Sequence, residues 1–227
     1  MTQSSAAGAA GRFAPGAWRL ATLPVLLALP LAFVAPLAVP VVAAVGAAAV
    51  LFFHRDPDRD PPVAGVLAPA DGTVSVIRTD EDGRLRVGTY MSGLDVHVNR
   101  APTGGDVTSV EHRPGANKLA FSKDSERNER VRVELETGEP TGDADPGVPT
   151  GPYTVDLIAG AFARRIHPYV ERGDAVARGA RLGHISFGSR VDVVFPRGID
   201  RSALQVTSGD TVTAGETVLA QVDDERG

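Results

Sequence analysis

The residues most able to do chemistry lie in three short stretches. Asp95-Val96-His97-Val98-Asn99 alternates strictly, and a period of two puts Asp95, His97 and Asn99 on one strand face and the valines on the other. With the valines in a core, His97 is displayed among polar neighbours, either as a general acid or base or as a plain solvated side chain. Asp71, in Pro69-Ala70-Asp71-Gly72, either satisfies turn amides or orients a histidine. Phe187-Gly188-Ser189-Arg190-Val191-Asp192 sets a serine behind a glycine and ahead of a strand. It lacks the second glycine of a Gly-x-Ser-x-Gly elbow, which disfavours an α/β-hydrolase. His54, His112, His167 and His184 have no ligand spacing, so no metal site is expected.

Composition narrows the chemistry further. The 227 residues include no Cys, which excludes thiol nucleophiles, disulfides and thiolate metal sites. Residues 1–53 carry two basic side chains and no acid, whereas the rest of the chain is acidic. An acidic soluble part argues against a nucleic-acid partner, which would need a basic face.

These groups must be positioned by strands. After the junction Asp56–Pro62 the pattern becomes short alternating segments with glycine turns. Thr73–Thr79 and Arg84–Met91 flank Asp82-Gly83, a hairpin signal. Asp95–Asn99, Val107–His112, Arg130–Glu136, Tyr153–Ile158, His184–Phe187, Arg190–Phe195 and Thr217–Val222 are the other expected strands. Thr137–Pro152 reads as a mobile loop. Only Ser122–Arg127 and Gly160–Arg165 look helical. Two repeats stand out: residues 68–74 recur at 101–107, and Val170–Gly179 recurs at Val206–Gly215, both copies with the spacing Gly-Asp-x-Val-x-x-Gly. Such turns resemble those of biotinyl and lipoyl carrier domains. Neither Lys118 nor Lys123 lies between the repeats, so carrier chemistry is disfavoured. The expected fold is mainly β: a β-sandwich or barrel-sandwich-hybrid-like domain with internal repeats, preceded by an N-terminal helical membrane segment.

From Leu20 to Phe53 no residue is charged, and Pro24, Pro30, Pro36 and Pro40 interrupt the run. Apolar runs above about 18 residues are read as membrane-embedded. A break near Pro36 leaves halves of about 25 Å each, suiting a helical hairpin or a kinked span with an interfacial arm. The chain thus divides into a tail (1–19), an anchor (20–53) and a β domain (54–227).

Asp56-Pro57-x-Arg59, Pro69-Ala70-Asp71-Gly72, Asp95-Val96-His97-Val98-Asn99-Arg100-Ala101-Pro102, Asn128-Glu129-Arg130, Ile158-Ala159-Gly160-x-x-Ala163-Arg164-Arg165-Ile166 and Phe187–Asp192 occur in that order. Together they resemble the short, archaeal/actinobacterial-type phosphatidylserine decarboxylases, including enzymes acting on archaetidylserine. The resemblance implies a proenzyme that cuts itself between Gly188 and Ser189, giving a β chain (1–188) and an α chain (189–227) that begins with a pyruvoyl group made from Ser189. It implies Schiff-base decarboxylation of a serine phospholipid to the ethanolamine lipid, with no metal. On that reading Ser189, His97 and Asp71 are catalytic, with Asp71 orienting His97. Arg100, Lys118, Arg164 and Arg165 are candidates for the lipid phosphate. Longer relatives carry a second histidine where this chain has Arg100, so His97 serves alone. The implied partners are the membrane lipid and the chain's own two pieces, alone or in a further oligomer. The implied location is the cell membrane, on its cytoplasmic face. A non-enzymatic, membrane-anchored lipoyl-like adaptor is the alternative. Whether the lipid is an acyl ester or an isoprenoid ether stays open.

Overall fold

The computed structural model describes residues 13–28, 38–115, 128–138, 146–160, 165–186 and 188–222. The chain separates into two units, Met1–Asp58 and Arg59–Gly227.

The first unit is a helical hairpin. Helices α1 (Ala17–Ala28) and α2 (Ala38–Phe53) pack on each other. Their outer ends are tied, because the Ala14 N–H donates to the His54 carbonyl at 2.7 Å and Phe13 pairs with Arg55. Pro24 interrupts the α1 hydrogen-bond ladder. Gly46 on α2 lies against it, and a Cβ there would sit 3.2 Å from the proline ring. The helices are about 18 and 24 Å long. No helix among the described residues is long and apolar enough to cross a membrane.

The second unit is mainly β, as expected. Its strands are β1 (Val66–Leu67), β2 (Gly72–Thr79), β3 (Leu85–Met91), β4 (Val98–Arg100), β5 (Gly105–Arg113), β6 (Arg130–Thr137), β7 (Gly151–Ile158), β8 (Ile166–Pro168), β9 (Ala175–Val176), β10 (Arg181–Ile185), β11 (Ser189–Val194), β12 (Thr211–Val212) and β13 (Val218–Ala220). Eight of them form one antiparallel sheet in the order β12-β2-β3-β11-β7-β6-β5-β9. Smaller sheets, β4-β10-β8 and β1-β13, share its hydrophobic core. Asp82-Gly83 makes the β2–β3 turn, with Gly83 at φ +81°. Thr137 and Gly151 prove to be strand residues paired across β6 and β7. The expected helix at Ser122–Arg127 lies outside the described residues, as does most of that at Gly160–Arg165.

The repeats explain the sheet's symmetry. In one half, the Gly209 N–H donates to the Val74 carbonyl and the Val74 N–H to that of Asp210. In the other half, Gly173 donates to Val107, and Val107 to Asp174, in the same way. Each turn is closed by its aspartate, which accepts the N–H of Thr207 or Glu171 at 2.7 and 2.8 Å. Each copy of the 68–74 type therefore clasps one copy of the Gly-Asp turn. The result is a sheet whose middle strands, β11 and β7, occupy equivalent places.

Candidate active site

Strand β11 has two chemically different faces. Ser189, Val191 and Val193 lie opposite Met91, Thr89 and Val87 of β3, and all six are buried. This is the core face. The opposite face carries Arg190 and Asp192, and Asp192 lies directly across from Asp156 of β7. Two carboxylates in register repel unless neutralised. Here Arg86 Nη1 donates to both at 3.1 Å, Arg132 forks onto Asp156 at 2.8 and 3.0 Å, and Arg190 forks onto Asp192 at 2.7 and 3.1 Å. Burial alone would push the Asp156 carboxyl up, but the hydrogen bonds and charges of Arg132 and Arg86 outweigh it and hold it below the usual carboxylate range. Burial would likewise lower the Arg86 guanidinium, and its three carboxylates (Asp80, Asp192 and Asp156) raise it instead. Gly88 makes this network fit, since a Cβ there would lie 2.5 Å from Asp192 Oδ1.

Ser189 opens the strand just after Gly188, which has φ +58°, a left-handed conformation that suits glycine. Ser189 is fully buried, and its Oγ has no hydrogen-bond partner among the described residues. His97 reaches this region through β4 and β10: its carbonyl accepts the Ile185 N–H at 3.2 Å, four residues before Ser189. Its ring Nδ1 lies 2.9 Å from the Asp95 carbonyl. A carbonyl can only accept, so Nδ1 carries the proton and a neutral ring leaves Nε2 with the basic lone pair. Asn99 sends its carboxamide onto Met91 Sδ at 3.4 Å, and Met91 is the cross-strand partner of Ser189. The structure therefore places Asn99 on Met91, the cross-strand partner of Ser189, and the His97 backbone beside Ile185, four residues before it.

Several expected placements differ. The alternation around His97 predicts a polar face turned outward, yet Val96, His97, Val98 and Asn99 are all buried, because β4 is covered on both sides. Asp71 was expected to orient His97. Instead it accepts a forked pair from Arg59 at 2.9 and 2.8 Å and the Ala214 N–H at 2.8 Å, while the His97 ring meets the Asp95 carbonyl at 2.9 Å. Arg100 is buried, with Nη1 on the Gly179 carbonyl and its chain against Gly215, rather than displayed for a phosphate. Arg165 is exposed, and its carbonyl receives the Ser186 N–H at 3.4 Å, close in sequence to Ser189. Lys118 and Arg164 lie outside the described residues. The described residues contain no cluster able to hold a metal. Sequence reasoning missed Thr89, Met91 and the Arg86–Asp156–Asp192 network, whose only trace was charge at alternate strand positions.

Comparison with known proteins agrees with this organisation. The family model for phosphatidylserine decarboxylase matches residues 47–220. An archaetidylserine decarboxylase proenzyme of Halobacterium salinarum is 61% identical over 175 residues, covering 77% of this chain and 82% of the relative. A phosphatidylserine decarboxylase proenzyme of Thermobifida fusca is 50% identical over 183 residues, covering 81% and 77%. An archaetidylserine decarboxylase proenzyme of Methanopyrus kandleri is 40% identical over 231 residues, covering 92% and 98%. A match of this extent and identity sets aside the non-enzymatic adaptor, and the chain belongs to the phosphatidylserine decarboxylase family of enzymes.

Proposed function

We propose that this chain is a self-cutting proenzyme that turns Ser189 into a pyruvoyl group and uses it to decarboxylate a serine glycerophospholipid. The observation that carries the reading is the state of Ser189: a fully buried hydroxyl without a hydrogen-bond partner among the described residues, directly after a left-handed glycine. A stable fold has no use for such a group, because an unsatisfied buried hydroxyl costs stability. A nucleophile aimed at the preceding carbonyl does.

The chain's own residues account for the first steps. His97 Nε2 takes the Ser189 Oγ proton, Oγ bonds to the Gly188 carbonyl carbon, and the Gly188–Ser189 C–N bond breaks as the nitrogen takes up a proton. The product is an ester at Oγ with a free amine on residue 189. Loss of the residue 189 α-proton expels the Gly188 carboxylate, and water then replaces the nitrogen, which leaves as ammonia. Once made, the pyruvoyl group supplies an electron sink for the pair released with CO2. In turnover His97 delivers the proton that replaces the carboxyl group on the substrate carbon. Arg165, exposed near the site, is the phosphate partner this reading favours.

The anchor serves the same chemistry. The hairpin exposes Trp18, Leu23, Leu26, Leu27, Val41, Val42 and Val45, a surface suited to an apolar phase rather than to water. We assign it to membrane attachment on the cytoplasmic face, where it holds the β unit near lipid headgroups. Relatives named for phosphatidylserine and for archaetidylserine support a shared serine headgroup as the recognised element.

Intact-mass measurement of freshly purified protein tests the proposal. The expected result is two chains, with a pyruvoyl-blocked end at position 189, and a single full-length chain for Ser189→Ala. Borohydride treatment should abolish CO2 release from serine phospholipid. A wild-type chain that stays whole, with an intact serine, refutes the proposal.

A further inference from the structure

Three of the buried polar atoms without a hydrogen-bond partner among the described residues, Ser189 Oγ, Thr89 Oγ1 and Asn99 Oδ1, belong to residues placed around Met91. Met91 lies opposite Ser189, Thr89 lies two residues along β3 on the same face, and the Asn99 carboxamide rests on the Met91 sulfur. Residues diagonal across an antiparallel pair stay within side-chain reach. All four residues are buried to the limit of measurement, at 0% exposure.

Nothing in packing explains the two polar choices. Thr89 stands among Val74, Val87 and Val191, its strand and cross-strand neighbours, and a valine there would have the same shape without an orphaned hydroxyl. Asn99 spends its N–H on a thioether, a weak acceptor, and its carbonyl oxygen has no partner among the described residues. Buried polar groups left so are expected at places where another structure will supply the partner.

We infer that Thr89 and Asn99 are the hydrogen-bond partners of the oxygen atoms that appear at residue 189 when the Gly188–Ser189 bond rearranges. The inference rests on the self-cutting reading above and names residues beyond it. Attack by Oγ turns the Gly188 carbonyl oxygen into an oxyanion and then into the carbonyl of an ester joined at Oγ, so acceptor oxygens arise beside the Ser189 side chain on the core face of β11. The Thr89 O–H and the Asn99 N–H are donors that do not titrate near neutral pH, so they stabilise negative charge on oxygen without competing with His97 for its proton. Met91, unbranched and adaptable, can turn aside to let the Asn99 N–H pass from sulfur to oxygen.

The test compares cutting rate with stability in the full-length chain. Conversion of one chain to two is followed by intact mass for wild type, Thr89→Val, Thr89→Ser and Asn99→Leu, and thermal midpoints are measured for each on the Ser189→Ala background. Thr89→Val should slow cutting about tenfold, the loss of one hydrogen bond in the transition state. It should also raise the midpoint, because it removes an orphaned hydroxyl, and Thr89→Ser should restore the wild-type rate. Asn99→Leu should slow cutting by a similar factor or more. Wild-type cutting rates in both Thr89→Val and Asn99→Leu overturn the inference while leaving the self-cutting reading intact. Slower cutting with a lower midpoint, and no rescue by serine, also overturns it, since that pattern is a packing defect. A wild-type chain that never cuts removes the reading and the inference together.

Discussion

Substituting Asp156 by Asn removes a charge from the middle of the sheet without changing its shape. Asp156 is wholly buried and accepts three hydrogen bonds, two from Arg132 and one from Arg86. Asparagine keeps one acceptor oxygen but turns an N–H toward a guanidinium, leaving buried positive charge uncompensated. Removing one partner of a buried ion pair costs about 3–5 kcal/mol, and the retained oxygen places this variant near the lower end. For a domain of 150–250 residues, each kcal/mol moves the midpoint by roughly 2–4 °C, so a drop of about 6–12 °C is expected at pH 7. The Asp156 carboxyl is held below its ordinary range in the folded state, so the unfolded chain binds its proton first as pH falls. Its contribution is therefore present above about pH 4, the ordinary carboxylate pKa, and is lost as pH drops through the lower folded value. The assay is urea unfolding of Ser189→Ala and of Ser189→Ala with Asp156→Asn, at pH 7 and in steps down to pH 3, so that every sample is one chain. The gap between the two should be widest at pH 7 and should narrow below pH 4. A gap under 1 kcal/mol at pH 7, or one that stays constant down to pH 3, refutes the reasoning.

Other expectations follow from the same geometry. His97→Gln should slow the appearance of the two chains by about 10²–10⁴-fold, the usual contribution of a general base, as read by intact mass. Arg165→Ala should raise KM for a serine phospholipid in mixed micelles while leaving cutting unchanged, as lost headgroup binding would. Leu27→Asp together with Val42→Asp, both 70% exposed on the hairpin, should move the protein from the membrane pellet to the supernatant, since each central charge costs about 2.5–3.5 kcal/mol in a bilayer.

Much of the scaffold was legible because its signals are local. Asp82-Gly83 announces its own hairpin, and the repeated Gly-Asp turns carry their closing aspartates with them. The proline-interrupted apolar run left a hairpin and a kinked span open, and the described residues form two packed helices. What escaped the sequence depends on register between distant strands. Arg86, Arg132, Asp156 and Asp192 each look like a solvated charge on an alternating strand, and only pairing β3, β11, β7 and β6 in order makes them one network. His97 misled for a related reason: alternation identifies two faces but not whether both are covered. Asp71 is a third case, since its partner Arg59 is a motif residue whose approach no spacing predicts.

The two faces of β11 would divide the work that the proposed self-cutting demands. A strand that opens at its first residue must let that residue rearrange while the rest of the ladder stays fixed. Ser189 stands at the strand's end, beside a glycine where a Cβ would meet no atom of the described residues within 4 Å. Two residues on, Val191 and Asp192 are locked between β3 and β7, and the ion pair from Arg86 to Asp192 would join the two pieces across a cut at 188–189. Beyond β11, β12 lies on β2 and β13 on β1, so residues 189–222 hold to the remainder at three separate places. A cut before Ser189 would thus sever the backbone and leave these strand pairings intact. On the proposed reading, the charged face, costly to bury, would keep the strand still while the core face reacts.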